Sequence, residues 1–144
     1  MRKDYDDARC SLKKYGMKHC PIDNSIKLIG KKFTLHILRN MILLKQTQFS
    51  QFLDSIEGIS TKTLSVRLYE MEKEGLIKRV VISTKPAQTE YSVTEKGKAL
   101  EPVLELLGDF SMRYEPMVIF KDAKPRGFEG VFGSNVRLSS VYDY

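Results

Sequence analysis

The apolar pattern of this chain changes at Gly75, and this change constrains the fold most. Before Gly75, apolar residues recur at helical spacing; after it, two short runs rich in Ile, Val and Tyr are typical of strands. A short helix is predicted over residues 48–55 and a longer one over 61–74, with Leu64, Leu68 and Met71 on its core side. Gly58 marks the turn between them, and Ser60 is a good N-cap. This order predicts a helix-turn-helix unit.

The two β-prone runs cover residues 76–83 and 89–94, and a short polar loop, residues 84–88, separates them. Such a pair predicts a β-hairpin. A hairpin directly after the second helix of the unit is a wing. The predicted fold class is therefore mainly α (α+β): a winged helix-turn-helix with a two-stranded β wing and additional N- and C-terminal helices.

Those additional helices are predicted over residues 6–18, 21–29 and 33–44, and in one long helix that Thr94 caps. Pro102 would lie near its first turn, where proline is tolerated. The apolar stripe of this last helix is longer than one small domain needs, so we expect it to serve a dimer interface: Leu100, Val103, Leu104, Leu107 and Phe110. Residues 1–115 are predicted to form the winged-helix domain with its dimerisation helices, and residues 116–144 an ordered extension of unknown role.

The net charge of +6 favours an anionic partner, and its distribution is uneven. Residues 1–48 hold eleven basic and four acidic side chains, and residues 60–98 hold eight and five. Residues 99–120 hold one arginine and four acidic side chains. We therefore expect nucleic acid to contact the first two thirds of the chain and not the acidic helical segment that follows.

The outward side of the helix over residues 61–74 carries Lys62, Ser65, Val66 and Tyr69. The polar ones can hydrogen-bond base edges or phosphates, and Val66 can contact a thymine methyl. The N-terminal part of such a helix enters the major groove. The alternative is a plain solvated amphipathic helix, which Glu70, Glu72 and Glu74 favour. On the wing, Lys85 at the tip and Arg79 in the first strand suit phosphate or the minor groove, unless the hairpin is a plain solvated turn. The predicted DNA contacts are Ser60, Thr61, Lys62, Thr63, Ser65, Val66, Arg67, Tyr69, Arg79 and Lys85.

Other chemistry finds little support in the sequence. Cys10, Cys20, His19 and His36 fit no usual zinc spacing, so no metal site is predicted. No phosphate-binding glycine loop or nucleophile elbow occurs, so no catalytic residues and no cofactor are expected. No stretch is apolar enough to span a membrane, and residues 1–6 lack the apolar core of a secretory signal, so the expected compartment is the cytoplasm.

Several segments resemble the HxlR-type, MarR-like transcriptional regulators. They include Cys20-Pro21-Ile22-Asp23, Leu28-Ile29-Gly30, Gly58-Ile59-Ser60, Glu74-Gly75-Leu76-Ile77 and Glu90-Tyr91-Ser92-Val93-Thr94. The resemblance covers about residues 18–110 and is most specific over 58–97. Lys31 departs from the pattern, because a second glycine is usual there. Phe33 and Phe110 stand where tryptophan is common, and Gln48 stands where arginine is usual.

The resemblance implies a homodimer, held by the N-terminal and last long helices, that binds a palindromic operator in double-stranded DNA. Two equal half-sites about one helical turn apart fit a two-fold dimer. It also implies that Cys20 is a candidate redox sensor, since some of these proteins sense electrophiles or oxidants through the cysteine at this place. Nearby Lys18, Lys31 and Lys32 and a helix start favour a reactive thiolate. The alternative is a small buried cysteine.

A second class of function stays open: a winged helix used for protein–protein interaction without specific DNA binding. Such modules often lose the basic charge of helix and wing. Here Lys62, Arg67, Lys78, Arg79 and Lys85 are all present, which favours DNA. A steep loss of affinity with salt would distinguish the two, because phosphate contacts release counterions. The sequence indicates neither the operator nor an effector.

Overall fold

The structure, a computed structural model, describes residue 12 and residues 14–133. Its elements in chain order are the helices α1 (Pro21–Ile29), α2 (Thr34–Leu43), α3 (Phe49–Ser55) and α4 (Thr61–Lys73), the strands β1 (Ile77–Thr84) and β2 (Ala87–Val93), and the helices α5 (Glu95–Lys98), α6 (Glu101–Tyr114), α7 (Pro116–Ile119) and α8 (Phe128–Phe132). The predicted winged helix-turn-helix fold, mainly α with a two-stranded wing, is confirmed.

The hydrophobic core lies where α2, α3, α4 and the start of β1 meet. Ile37, Leu38, Phe52 and Leu64 have no exposed surface, and the predicted core side of α4 is confirmed because Leu68 and Met71 are buried too. Leu100 and Leu104, before and in α6, pack against the same core. Removing this apolar surface from water is the main force that holds α4 in place.

Polar contacts fix the turn between α3 and α4 and the loop before α3. Gly58 has a φ of 78°, which glycine adopts without steric cost. The Ser60 hydroxyl caps α4 by accepting a 3.1 Å hydrogen bond from the Thr63 amide. The buried Asn40 amide donates to Gln46 Oε1 at 2.9 Å and to Ser55 Oγ at 2.8 Å. The first helix of the pair is thereby tied to α2.

The wing is longer than the sequence pattern predicts. β1 and β2 pair antiparallel from Ile77 opposite Val93 to Thr84 opposite Ala87, and the connection is only Lys85-Pro86. The predicted loop over 84–88 is therefore wrong for Thr84, Ala87 and Gln88, which are paired. Polar composition misled the prediction, since a solvated two-stranded ribbon accepts polar side chains on both faces.

The predicted single last helix is wrong: it is broken at Ala99 and Leu100 into α5 and α6. Pro102 lacks an amide hydrogen, and in a continuous helix its ring would meet the carbonyl of Lys98, four residues earlier. The helix ends just before this point, and Pro102 lies in the first turn of the next helix, α6. The predicted helix over 6–18 lies mostly outside the described residues. Its predicted end is wrong, because Tyr15 and Gly16 form a turn.

The start of α5 is fastened to the end of α4. The Thr94 hydroxyl lies 2.6 Å from the Gly75 carbonyl oxygen and 3.0 Å from that of Leu76, and it accepts from the Gly97 amide at 3.1 Å. Lys96 Nζ donates to the Glu74 carbonyl at 2.7 Å. A Cβ on Gly97 would lie 2.2 Å from the Leu76 carbonyl oxygen, so only glycine permits this approach.

Residues 120–133, here called the C-terminal arm, fold back along α6. The Phe128 ring lies against Gly108, where a Cβ would come within 2.8 Å of it. The Phe128 amide donates to Asp109 Oδ1 at 2.8 Å, and Asp109 Oδ2 accepts from Arg113 Nε at 2.7 Å. The extension predicted for 116–144 contains α7 and this arm, and residues 134–144 lie outside the described range.

Candidate nucleic-acid interface

The outward face of α4 is the centre of the candidate interface. The buried positions Leu64, Leu68 and Met71 fix the rotation of the helix about its axis. The opposite side is therefore exposed, with Val66 at 45% and Tyr69 at 66% of their full accessibility. Exposed positions among the predicted contacts on this helix are Thr61, Lys62, Ser65, Val66 and Tyr69. The structure thus places on one surface the ammonium group of Lys62, the hydroxyls of Thr61 and Ser65, the methyl groups of Val66 and the phenol of Tyr69.

Ser60 and Thr63 serve the start of the helix. Besides capping α4, the Ser60 hydroxyl donates to Thr63 Oγ1 at 3.0 Å. Both side chains therefore contribute to the local structure from which Lys62 projects. The helix N-terminus is also the positive end of its dipole, which favours phosphate oxygens nearby.

Arg67 lies elsewhere than the other predicted contacts. Its side chain is only 16% exposed; Nε donates to the Lys32 carbonyl at 2.9 Å and Nη1 to Glu70 Oε2 at 2.6 Å. Lys31 Nζ lies 3.1 Å from the other Glu70 oxygen. The hydrogen bond from Lys31, reinforced by the one from Arg67, holds the pKa of Glu70 below its usual value despite partial burial. The sequence pattern did not predict this cluster. Its one sign in the sequence is Lys31, which departs from the glycine usual at this position in the family that the chain resembles.

The wing presents its charges to solvent. Lys85 lies at the tip, and Arg79, paired with Tyr91 in the strand register, is exposed. Val80, Val81 and Ile82 are also about half exposed, which sequence reasoning did not anticipate. The base of the wing is attached to the body because the Tyr91 amide donates to the Thr47 carbonyl at 2.7 Å. The hairpin therefore begins four residues after α4 and projects from a fixed point.

The apolar stripe predicted for a dimer interface is divided by the structure. Leu100 and Leu104 pack on the chain's own core, and Val103 is half-buried. Leu107 is 50% and Phe110 55% exposed. Tyr114, 68% exposed, continues this face, and its ring centroid lies 5.4 Å from that of Phe110. Leu107, Phe110 and Tyr114 form the outer face of α6.

Cys20 is partly exposed and occupies the N-cap position of α1. Its carbonyl accepts a 3.0 Å hydrogen bond from the Asn24 amide, and Pro21 opens the helix. The thiol is a free one at a helix start, and it is partly exposed, in contrast to the alternative of a small buried cysteine. Cys10 lies outside the described residues.

Within the described range, no helix combines the length and the apolar character needed to cross a bilayer. Over the same residues, no three or more His, Cys, Asp or Glu side chains gather closely enough to hold a metal ion.

Comparisons with known proteins place the chain in a family. The family model for HxlR-like helix-turn-helix proteins matches residues 28–118. An HTH-type transcriptional regulator of Synechocystis sp., sll1512, is 39% identical over 85 residues, which are 59% of this chain and 62% of that protein. The regulator YdeP of Bacillus subtilis is 32% identical over 99 residues, covering 69% of this chain and 77% of YdeP.

Solved structures share the fold. The redox regulator HypR in its oxidised form has a TM-score of 0.59 and 29% identity, covering 64% of this chain and 94% of HypR. The reduced form of the transcriptional regulator YodB from B. subtilis has a TM-score of 0.57 and 28% identity, covering 67% of this chain and 94% of YodB. The capped helix-turn-helix and the wing are the features expected of the family that these matches indicate. The chain is a transcriptional regulator and belongs to the HxlR-like helix-turn-helix family.

Proposed function

We propose that this regulator is a homodimer that binds double-stranded DNA by inserting α4 into the major groove. The observation that carries the proposal is the exposure of Lys62, Ser65, Val66 and Tyr69 on one side of a helix whose other side is locked in the core. Lys62 and Tyr69 would donate to base edges or phosphates, and Val66 would contact a thymine methyl. Thr61 and the capped N-terminus would lie near the backbone.

The wing supplies the second contact in this proposal. Lys85 at its tip and Arg79 on β1 are exposed cations on a fixed hairpin. Cations of this kind bind phosphates or enter the minor groove, which positions the protein without specifying sequence. As a regulator bound to a chromosome, the protein would act in the cytoplasm and would catalyse no reaction.

The outer face of α6 supports the proposed dimer. Two aromatic rings and a leucine lie exposed on an acidic segment that would not face DNA. Pairing two copies through this face, with residues 1–115 as the dimerising and DNA-binding domain, would give a two-fold axis. Such a dimer suits a palindromic operator whose half-sites lie about 34 Å apart, one helical turn.

Thiol modification at Cys20 is a proposed means of control. The thiol is partly exposed at the start of α1, and HypR, one of the structural relatives, is a redox regulator. Mild diamide treatment followed by mass spectrometry and DNA binding tests the idea. We expect modification at Cys20 with changed DNA affinity, absent in Cys20→Ser. An unmodified Cys20 with unchanged binding would exclude this mode of control.

The test of DNA binding is fluorescence anisotropy on the upstream DNA of the protein's own gene and on scrambled DNA, at several salt concentrations. We expect tight binding that prefers the upstream DNA and weakens steeply with salt. Lys62→Gln should weaken binding by about 1–3 kcal/mol if Lys62 contacts a base. The matched control is Lys121→Gln, an exposed lysine beyond α7 that should leave affinity unchanged. No binding even at low salt would favour a protein-interaction module instead.

A further inference from the structure

Three charged side chains connect α4 to the turn between α1 and α2. Arg67 and Glu70 belong to α4, and Lys31 belongs to that turn. Glu70 accepts from Lys31 at 3.1 Å and from Arg67 at 2.6 Å, each on a different carboxylate oxygen. Arg67 also donates to the Lys32 carbonyl at 2.9 Å. The cluster therefore links α4 to the α1–α2 turn through both side-chain and backbone atoms of that turn.

The three links differ in strength. Lys31 is 52% exposed, so its pair with Glu70 is screened by solvent and contributes little by itself. Arg67 is 16% exposed, and its guanidinium makes a charge-assisted hydrogen bond and a backbone hydrogen bond from two different nitrogens. Charge-assisted hydrogen bonds with this geometry are the stronger kind. Arg67 therefore forms the main link, and Glu70 holds it in position.

This arrangement leads to an assignment that rests on the proposed DNA binding. We propose that Glu70 and Arg67 are positioning residues, which fix the orientation of α4 against the α1–α2 turn, and that Arg67 is not a phosphate contact. To reach a phosphate, Arg67 would have to give up its bonds to Glu70 and to Lys32. Lys62, Ser65 and Tyr69, on the exposed side of the same helix, would depend on the orientation that the cluster maintains.

Neutralisation of Glu70 tests the proposal, because a carboxylate that only repels phosphate and one that positions α4 predict opposite changes in DNA affinity. An acidic side chain on a helix near DNA repels phosphate, so its neutralisation alone would raise affinity. Glu72, exposed on the same helix, is the matched control: Glu72→Gln should raise affinity slightly. Glu70→Gln should instead lower affinity about fivefold, as expected for residues that act through a packed contact.

Arg67 gives an independent measurement. Log affinity falls as log salt rises, and removal of one phosphate contact makes this dependence less steep by about 0.9. If Arg67 only positions α4, Arg67→Gln should lower affinity while the slope stays as in the wild type. Arg67→Lys keeps the charge but loses the two-nitrogen geometry, so it should weaken binding similarly. A thermal melt of each variant verifies that it is folded under the assay conditions.

The outcomes separate the two proposals. Wild-type binding with a weaker Glu70→Gln, a tighter Glu72→Gln and an unchanged salt slope for Arg67→Gln supports the assignment. Two results would overturn the assignment alone, provided that the wild type binds DNA. Glu70→Gln could bind as tightly as Glu72→Gln, or the salt dependence of Arg67→Gln could be less steep than that of the wild type by about 0.9. Failure of the wild type to bind either DNA at low salt overturns the proposed function and this assignment together.

Discussion

Helices α4 and α6 have similar lengths, and each buries one side, but their other sides differ. The exposed side of α4 is polar and cationic, with Lys62, Ser65 and Tyr69. The exposed side of α6 is apolar, with Leu107 and Phe110 about half exposed. The buried residues of α6 include two acids, Glu105 and Asp109, whereas those of α4 are all apolar. One helix thus follows the simple rule of apolar inside and polar outside, and the other does not.

This difference shows that an apolar stripe alone does not identify what covers it. In α4, the whole buried side lies in the chain's own core, together with α2, α3 and the start of β1. In α6, part of the stripe meets the chain's own core and part is exposed, while the C-terminal arm covers the polar side through Asp109, Gly108 and Phe128. An exposed aromatic face beside a covered polar one favours a partner chain over solvent.

The largest effect should come from the buried side of α4. Leu68 is 1% exposed, so Leu68→Ala would remove packed apolar volume and leave a cavity. We expect the free energy of unfolding to fall by about 3 kcal/mol, measured by urea denaturation. Leu107→Ala on α6 is the matched control, at 50% exposure. A loss for Leu107→Ala as large as that for Leu68→Ala, at concentrations where the protein is monomeric, would contradict the contrast.

The next effect concerns the exposed sides. Phe110 on α6 and Val66 on α4 have similar exposures, 55% and 45%. If α6 forms the dimer, Phe110→Ser should weaken self-association at least about tenfold, which corresponds to 1.4 kcal/mol. Val66→Ser should leave it unchanged. Sedimentation equilibrium measures both, and equal behaviour of the two variants would remove the distinction between the two faces.

A smaller effect is expected at the start of α4. Ser60→Ala removes the acceptor for the Thr63 amide and should destabilise the protein by about 1 kcal/mol. The corresponding position of α6 is Leu100, which makes no side-chain cap hydrogen bond. Leu100 packs on the core, so a loss at Leu100→Ala would report packing and not capping. Circular dichroism melts test Ser60→Ala, with Ser60→Asp as the variant that should retain stability.

The smallest effect is a pH dependence. Because the pKa of Glu70 is lowered in the folded protein, chiefly by Lys31, its ion pairs stabilise the fold above the usual carboxylate range. That contribution is lost as the pH falls through the lowered pKa. The stability difference between wild type and Glu70→Gln should therefore be larger at pH 7 than at strongly acidic pH. Urea titrations at several pH values measure it, and a constant difference would contradict the role of the charge.

Much of the fold could be predicted because it depends on local patterns. The spacing of Leu64, Leu68 and Met71, the N-cap at Ser60 and the glycine at position 75 lie within sixteen residues and define α4 by themselves. The exposure of Lys62, Ser65 and Tyr69 follows from the same period. The sequence pattern does not predict the break before α6, although Pro102 lies beside it, because proline near a helix start is also compatible with one continuous helix.

The missed features depend on residues far apart in the sequence. Lys31 and Glu70 meet only because the turn between α1 and α2 lies beside α4 in the folded chain, and no local period connects them. The burial of Glu105 and Asp109 is likewise unrelated to the pattern of α6, which would place acids in solvent. The arm that covers Asp109 comes from Phe128, in a segment rich in glycine that resembles a loop.

The fastening of α5 to the end of α4, through Thr94, Lys96 and Gly97, has a consequence for DNA geometry. It joins the end of α4 to α5, which leads into α6. In a dimer joined through α6, a rigid link of this kind would fix the distance between the two α4 helices. The protein would then measure the spacing between half-sites as well as their sequence. Insertion of about five base pairs between them would turn the second half-site to the opposite side of the duplex, out of reach of the second subunit.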